Sequence, residues 1–162
     1  MISQAIDREA PNMTKAARNL RWLALIAAAV LVVAPVGAAE IGQIKISKGQ
    51  VTVQRKGATL PATVGMRLET ADVLKTGADG SVGITMADNS LLSAGPNSIL
   101  SLDRFEFDPT SSQGQFDAQL RKGSLAVISG RIAKQSPEAM TVRTPTAILG
   151  VRGTEFVVKV ED

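Results

Sequence analysis

Six carboxylates have the types and spacing that invite chemistry. Asp72, Asp79 and Asp88 offer oxygen ligands of the kind calcium takes, but they lack the alternating arrangement of a dedicated calcium loop. Each also stands in a turn-forming stretch, where an Asp side chain bonds the backbone two residues on, so turn capping is the better reading. Asp103, Glu106 and Asp108 could be read as paired acids for glycoside cleavage. Along a strand, Glu106 and Asp108 would share a face while Asp103 would not, and no aromatic platform accompanies them. A solvated edge fits them better. Arg152 is flanked closely by Gly150 and Gly153. Its guanidinium is a candidate contact for a partner carboxylate, although two glycines and Thr154 argue first for a tight structural turn.

The absences exclude more than these residues suggest. The chain contains no His, no Cys and no Tyr. Ser–His and Cys–His nucleophile pairs are therefore impossible, and the commonest metal ligands are missing. Nothing points to a Ser–Lys pair, a cofactor or a metal, and the expectation is a protein that is not an enzyme. The one Trp, Trp22, lies close to the N-terminus, which leaves Phe105, Phe107, Phe116 and Phe156 as the aromatics downstream. Sugar platforms and protein hot spots both lean on Trp and Tyr, so binding of peptidoglycan or another polysaccharide is the second choice.

Residues 1–39 have the three parts of a signal peptide. Arg8, Lys15, Arg18 and Arg21 form a basic flank, 22–33 (WLALIAAAVLVV) an apolar run, and Pro35 with the small residues 36–39 a cleavage region. The run is shorter than the ~20 residues of a membrane span. Cleavage is expected after Ala38 or Ala39, leaving no membrane span and an exported, periplasmic product. The leader also carries most of the excess charge. Removing its four basic and two acidic residues from totals of 18 and 15 leaves 14 and 13. A net charge near +1 without clustered Lys and Arg gives no phosphate-binding surface, so nucleic acid is not an expected partner. With no cysteines, the remainder must be held by its core rather than by disulfides. Residues 40–162 are long enough to form one domain with a core.

What positions these residues is a series of short strands. Ile44 and Ile46, Val51 and Val53, Val82, Ile84 and Met86, Phe116, Ala118 and Leu120, and Phe156, Val158 and Val160 all alternate with other residues. Period two places one side of a strand on the core and the other in water. Turn signals separate these runs at Lys48-Gly49, Lys56-Gly57, Gly65, Gly77 to Gly80, Asp88-Asn89, Gly95 to Asn97 and Lys122-Gly123. The polar stretches 108–114 and 133–138 read as loops, and no stretch after the leader has helical spacing. The expected fold is all-β, a single domain of many short strands in a solenoid-like or sandwich-like stack. Periodicity does not separate the two forms.

Four segments are more specific. They are GMRLETADVLKTG (65–77) with Gly77 at its end, Asp88-Asn89-Ser90, LRKGSL (120–125) around Gly123, and TPTAILGVRGTEF (144–156), which holds Thr144, Pro145, Gly150, Arg152, Gly153 and Thr154. In this order they resemble the FecR domain family, with its G-x-x-L-x-x-x-D-x-x-x-T-G opening, D-G-S hairpin, L-x-x-G-x-L strand and T-P-x-A-x-x-G-V-R-G-T-x-F close. Asn89 stands where the family usually has Gly, and Asn is the next most tolerant residue at positive φ. The resemblance implies a FecR-type stack of short strands and an envelope protein-interaction or signal-sensing role. Residues 1–21 are too short for the cytoplasmic anti-sigma segment of the founding regulators, so that activity is not implied. The expected partner is another envelope protein, met by sheet-edge pairing or an exposed strand face. Many short strands also supply edges through which copies could oligomerise.

Overall fold

The computed structural model describes residues 39–151 and 155–161. The signal segment, and with it the cleavage region before Ala39, and Arg152, Gly153 and Thr154 of the closing motif lie outside the described residues. Twelve strands follow one another in the unit Gly37–Asp162: β1 (Gly42–Lys48), β2 (Val51–Arg55), β3 (Ala58–Pro61), β4 (Arg67–Leu68), β5 (Val73–Thr76), β6 (Ser81–Met86), β7 (Leu91–Ala94), β8 (Ile99–Phe107), β9 (Gly114–Ile128), β10 (Met140–Arg143), β11 (Ile148–Gly150) and β12 (Glu155–Val160). They form one curled sheet in the order β3-β2-β5-β8-β9-β7-β6-β1-β4, with β10 and β12 also on β9 and β11 on β10. Among the described residues only β9–β10 is a parallel pairing. The all-β expectation holds: the many short strands form a curled, almost wholly antiparallel sheet rather than the parallel rungs of a solenoid.

β9 joins the two halves of the sheet. Its first part pairs with β8 and β10, and its last part lies between β7 and β12. Between the two parts stands Gly123, at φ 87°. Lys122-Gly123 therefore does not end a strand, as its turn chemistry suggested; it kinks one continuous strand from one half of the sheet into the other. The two halves then bury their inner faces together. Ile44, Ile84, Met86, Leu92 and Leu125 come from one half, Val53, Leu74, Leu100, Phe116 and Leu120 from the other, and all belong to a single core.

Two further expectations need correction. The stretch 133–138 is not an irregular loop: Arg131–Gln135 is a short helix, α1, followed by a 3-10 turn at Pro137–Ala139. One turn of helix is too short to show a period, and Pro137 at its first position starts the 3-10 turn. Ile46 does not join Ile44 in the core. The register of β1 on β6 shifts between them, so that Ile44 faces Ile84 and Ile46 faces Gly83. The extra residue, Lys45, makes a bulge that turns Ile46 to the opposite face, where it is 52% exposed.

Candidate interaction surface

The bulge at Lys45 completes an apolar surface on the outer face of the half-sheet β1-β6-β7-β9-β12. The pairings put Ile46, Gly83, Ser93, Ala126 and Val157 in one row across all five strands. A second row holds Thr85, Leu91, Ile128 and Glu155. Directly opposed residues in antiparallel strands stand about 5 Å apart with side chains on one face, so each row is a continuous line of contacts. The middle of the first row is Gly, Ser and Ala, which fill little space. Its ends, Ile46 and Val157, and the neighbouring Leu91 and Ile128 stand above it. The result is an open groove of about 370 Å³ between Ile46, Leu91 and Ile128, with Val157 on the same outer face but beyond its lining.

Burial of these residues is incomplete in a way that carries meaning. Val157 is 69% exposed, Leu91 43% and Ile128 42%. Single exposed hydrophobics are ordinary, whereas a contiguous apolar patch marks an interaction site. Lys45 and Glu155 both line the groove. The surface offers shape, apolar contact and one charge of each sign.

The residues singled out in the sequence sit elsewhere, and several hold the fold. Asn89, between β6 and β7, takes φ 67°, the left-handed conformation that an Asn side chain tolerates. Asp88 and Ser90 are fully buried beside it. The Asp88 carboxylate accepts the Ser90 N–H at 3.0 Å, the Ser90 hydroxyl at 2.8 Å and the Ile132 N–H at 3.3 Å. Ser90 Oγ in turn accepts the Gly130 N–H at 2.9 Å. Asp88 thus caps α1, whose own N-cap Gly130 has no side chain to do so. Gly130 is required by packing: a Cβ there would run into the Asp88 carbonyl oxygen and the Ser90 nitrogen. Replacing Ser90 with Ala should leave the Gly130 N–H buried and unpaired, at a cost of about 1–3 kcal/mol. A urea titration should show the midpoint falling with the slope unchanged; an unmoved midpoint would mean that this tie holds nothing.

The other motif residues also occupy structural places. The Gly77 N–H donates to the Gln50 carbonyl at 2.8 Å, and its own carbonyl accepts from Gly80 and Asn97 at 3.0 Å each. The Thr144 hydroxyl bonds both backbone groups of Ala147, closing the β10–β11 turn around Pro145. Gly150 is not a turn residue: it ends β11 opposite Thr141, and a Cβ added there would meet nothing within 4 Å. Arg152, Gly153 and Thr154 lie outside the described residues. Asp72, Asp79 and Asp88 do not converge on one site. Asp72 pairs with Arg55, Asp79 accepts the Gln50 N–H at 3.3 Å, and Asp88 caps α1. Asp103 is exposed, Glu106 pairs with Arg104 at 2.9 Å on the surface, and Asp108 lies beyond the end of β8. The Thr110 N–H, and then the Ser111 hydroxyl, hold the Asp108 carboxyl below its ordinary range.

Sequence reasoning alone misses the groove residues. Leu91 and Leu92 are adjacent, so one of them has to face outward from its strand; that is the available signal. Which outward residues stand side by side depends on register across five strands.

A family model described as FecR protein matches residues 72–162, more than half of the 162 residues. No curated protein and no solved structure matches the chain. The chain belongs to the FecR family.

Proposed function

We propose that this FecR-family chain is an exported, non-enzymatic module of the cell envelope that binds another envelope protein through the apolar outer face of β1, β6, β7, β9 and β12. Family membership supports an envelope setting. The basic flank, apolar run and small residues of 1–39 support export, and no helix among the described residues is long and apolar enough to cross a membrane. The absence of His, Cys and Tyr from the sequence supports a binding rather than a catalytic role. The observation that carries the reading is the row Ile46-Gly83-Ser93-Ala126-Val157, a shallow trough with exposed apolar ends. Such a trough suits the apolar side chains of another protein.

A polysaccharide is the poorer ligand for this surface. Phe116 and Phe105 are buried in the core, and Phe107 and Phe156 pack against it, so among the described residues no ring lines the groove for a sugar to stack on. The test is a photocrosslinking residue at Ser93 in cells, compared with one at Thr59 on β3. A single protein adduct at Ser93, absent at Thr59 and lost in Leu91→Asp, is the expected result. Leu91 is already partly in water, so the substitution should leave the melting temperature nearly unchanged while weakening capture by roughly tenfold or more. Capture by isolated cell-wall sacculi that survives Leu91→Asp, with no protein adduct, would replace this reading with the polysaccharide one.

A further inference from the structure

The edge of β12 carries an inference independent of the groove's partner. Among the described residues β12 pairs with β9 alone, through a register running from Glu155 opposite Ile128 to Val160 opposite Gly123. Its second edge therefore has no strand partner among the described residues and presents the N–H and C=O groups of alternate residues along the strand, with Leu149, Gly150 and Val151 lying near its first four residues. Such an edge is a template for another strand. Natural edges are guarded by charge, and β12 does carry Glu155 and Lys159 on its outer face, either side of Val157. What matters is their order.

We propose that two copies of this chain pair antiparallel along β12, centred on Val157. Extending the sheet requires outward residues to face outward residues, which restricts the central residue and leaves few registers. Centring on Val157 sets Glu155 of each copy opposite Lys159 of the other, twice, with Val157 against Val157. On the inner face Phe156 then meets Val158. Centring on Val158 would oppose Glu155 to Glu161, and centring on Phe156 would oppose Glu155 to Val157. A parallel pairing in register would set Glu155 on Glu155 and Lys159 on Lys159, which is unfavourable. Of the registers that pair five residues of β12, only this one satisfies both charge and face.

In the single copy Lys159 is already beside a carboxylate. Its ammonium donates to Glu161 at 2.6 Å, and each group shifts the other toward its charged form. Both are on the surface, so exchanging Glu161 for the facing Glu155 costs little. The pairing is isologous and uses the same edge of both copies, so it closes at two. It also brings two outer faces into one continuous surface, since Val157 ends the apolar row in each. Two joined grooves would hold a two-site ligand with avidity, but the dimer does not depend on the groove having a ligand.

The absence of cysteine from the chain makes the geometry directly testable. In the full chain, Val157→Cys should form an intermolecular disulfide under mild oxidation, because directly opposed antiparallel residues lie within bridging distance. Ser93→Cys, on the same face but two strands in, should not. Sedimentation velocity should show a dimer that Glu155→Lys weakens by roughly tenfold, that Lys159→Glu weakens similarly, and that the double exchange restores. Both positions are exposed, and melting temperatures of the variants report whether folding is intact. A parent that stays monomeric at high protein concentration overturns the proposal. So does a dimer indifferent to both reversals, or one crosslinked at Ser93 rather than Val157. Failure of the double exchange to restore pairing would overturn the Val157-centred register.

Discussion

Gly123→Val should unfold this protein at temperatures where the parent is stable, with a melting temperature lower by roughly 10 °C or more. Two costs combine. Gly123 sits at φ 87°, where a β-branched residue is strained by about 1–3 kcal/mol. A Cβ at this position would also stand 2.6 Å from the Ser98 Cα, closer than real contacts allow, and the obstacle includes backbone that cannot rotate away. Ser98 is itself fixed: its N–H donates to the Thr76 hydroxyl at 2.8 Å, and its hydroxyl accepts the Ser124 N–H at 3.0 Å. The strain therefore spreads into β5 and into both parts of β9. Against a typical domain margin of about 5–15 kcal/mol, the loss is severe. Gly150→Ala is the matched comparison, since that glycine also belongs to a family motif. It has open space at Cβ and should melt within a few degrees of the parent. Thermal unfolding followed by circular dichroism measures both. If Gly123→Val melted like the parent, the kink could not be the device that turns β9 between the two halves of the sheet.

Gly123 also marks the limit of legibility in the sequence. A Lys-Gly pair between two alternating runs is the same signal whether the chain reverses or only kinks, because local chemistry specifies positive φ and not the direction the next strand takes. The alternation of Val82, Ile84 and Met86, and of Phe116, Ala118 and Leu120, is legible because each run is unbroken and buried on one side. Ile46 is misplaced by its pattern for a related reason: a one-residue bulge inverts every face assignment beyond it, and Lys45 gives no local sign of it. Asp88-Asn89-Ser90 is legible as a hairpin. Its second task, capping α1, joins residues 44 positions apart, and no pattern within either segment announces the other. The apolar groove is hidden by the same kind of distance. Gly83, Ser93 and Ala126 are unremarkable in their own strands and form a trough only when two registers align them.

Asp72→Ala should be nearly as damaging as the change at Gly123, for an electrostatic reason. Turn capping is the role its sequence context suggests, and its Oδ2 does accept the Glu69 N–H at 2.9 Å. Asp72 is also fully buried against Arg55, whose Nε and Nη2 reach its two oxygens at 2.8 and 2.6 Å. This two-pronged geometry gives strong, directional bonding, and the Asp72 hydrogen bond is the main cause raising the Arg55 pKa above its ordinary value. Arg55 ends β2 and Asp72 precedes β5, so the pair locks the β2–β3 hairpin to the loop entering the next strand. Removing one partner of a buried pair costs about 3–5 kcal/mol, because the other is left without compensation. The lower end applies here, since Arg55 is one-fifth exposed and keeps Glu69 at 2.9 Å and the Arg67 carbonyl at 2.8 Å. A double-mutant cycle separates coupling from simple loss of packing. Arg55→Ala combined with Asp72→Ala should cost clearly less than the two single changes added together. Lys56→Ala serves as the surface comparison: its ammonium lies 3.6 Å from Glu69 and is 80% exposed, so its loss should cost under about 1 kcal/mol. Urea midpoints of the four variants give every term. Additive single changes would mean that Asp72 acts only as a turn cap, and a parent-like midpoint for Asp72→Ala would mean that the pair contributes nothing to holding β2 against β5.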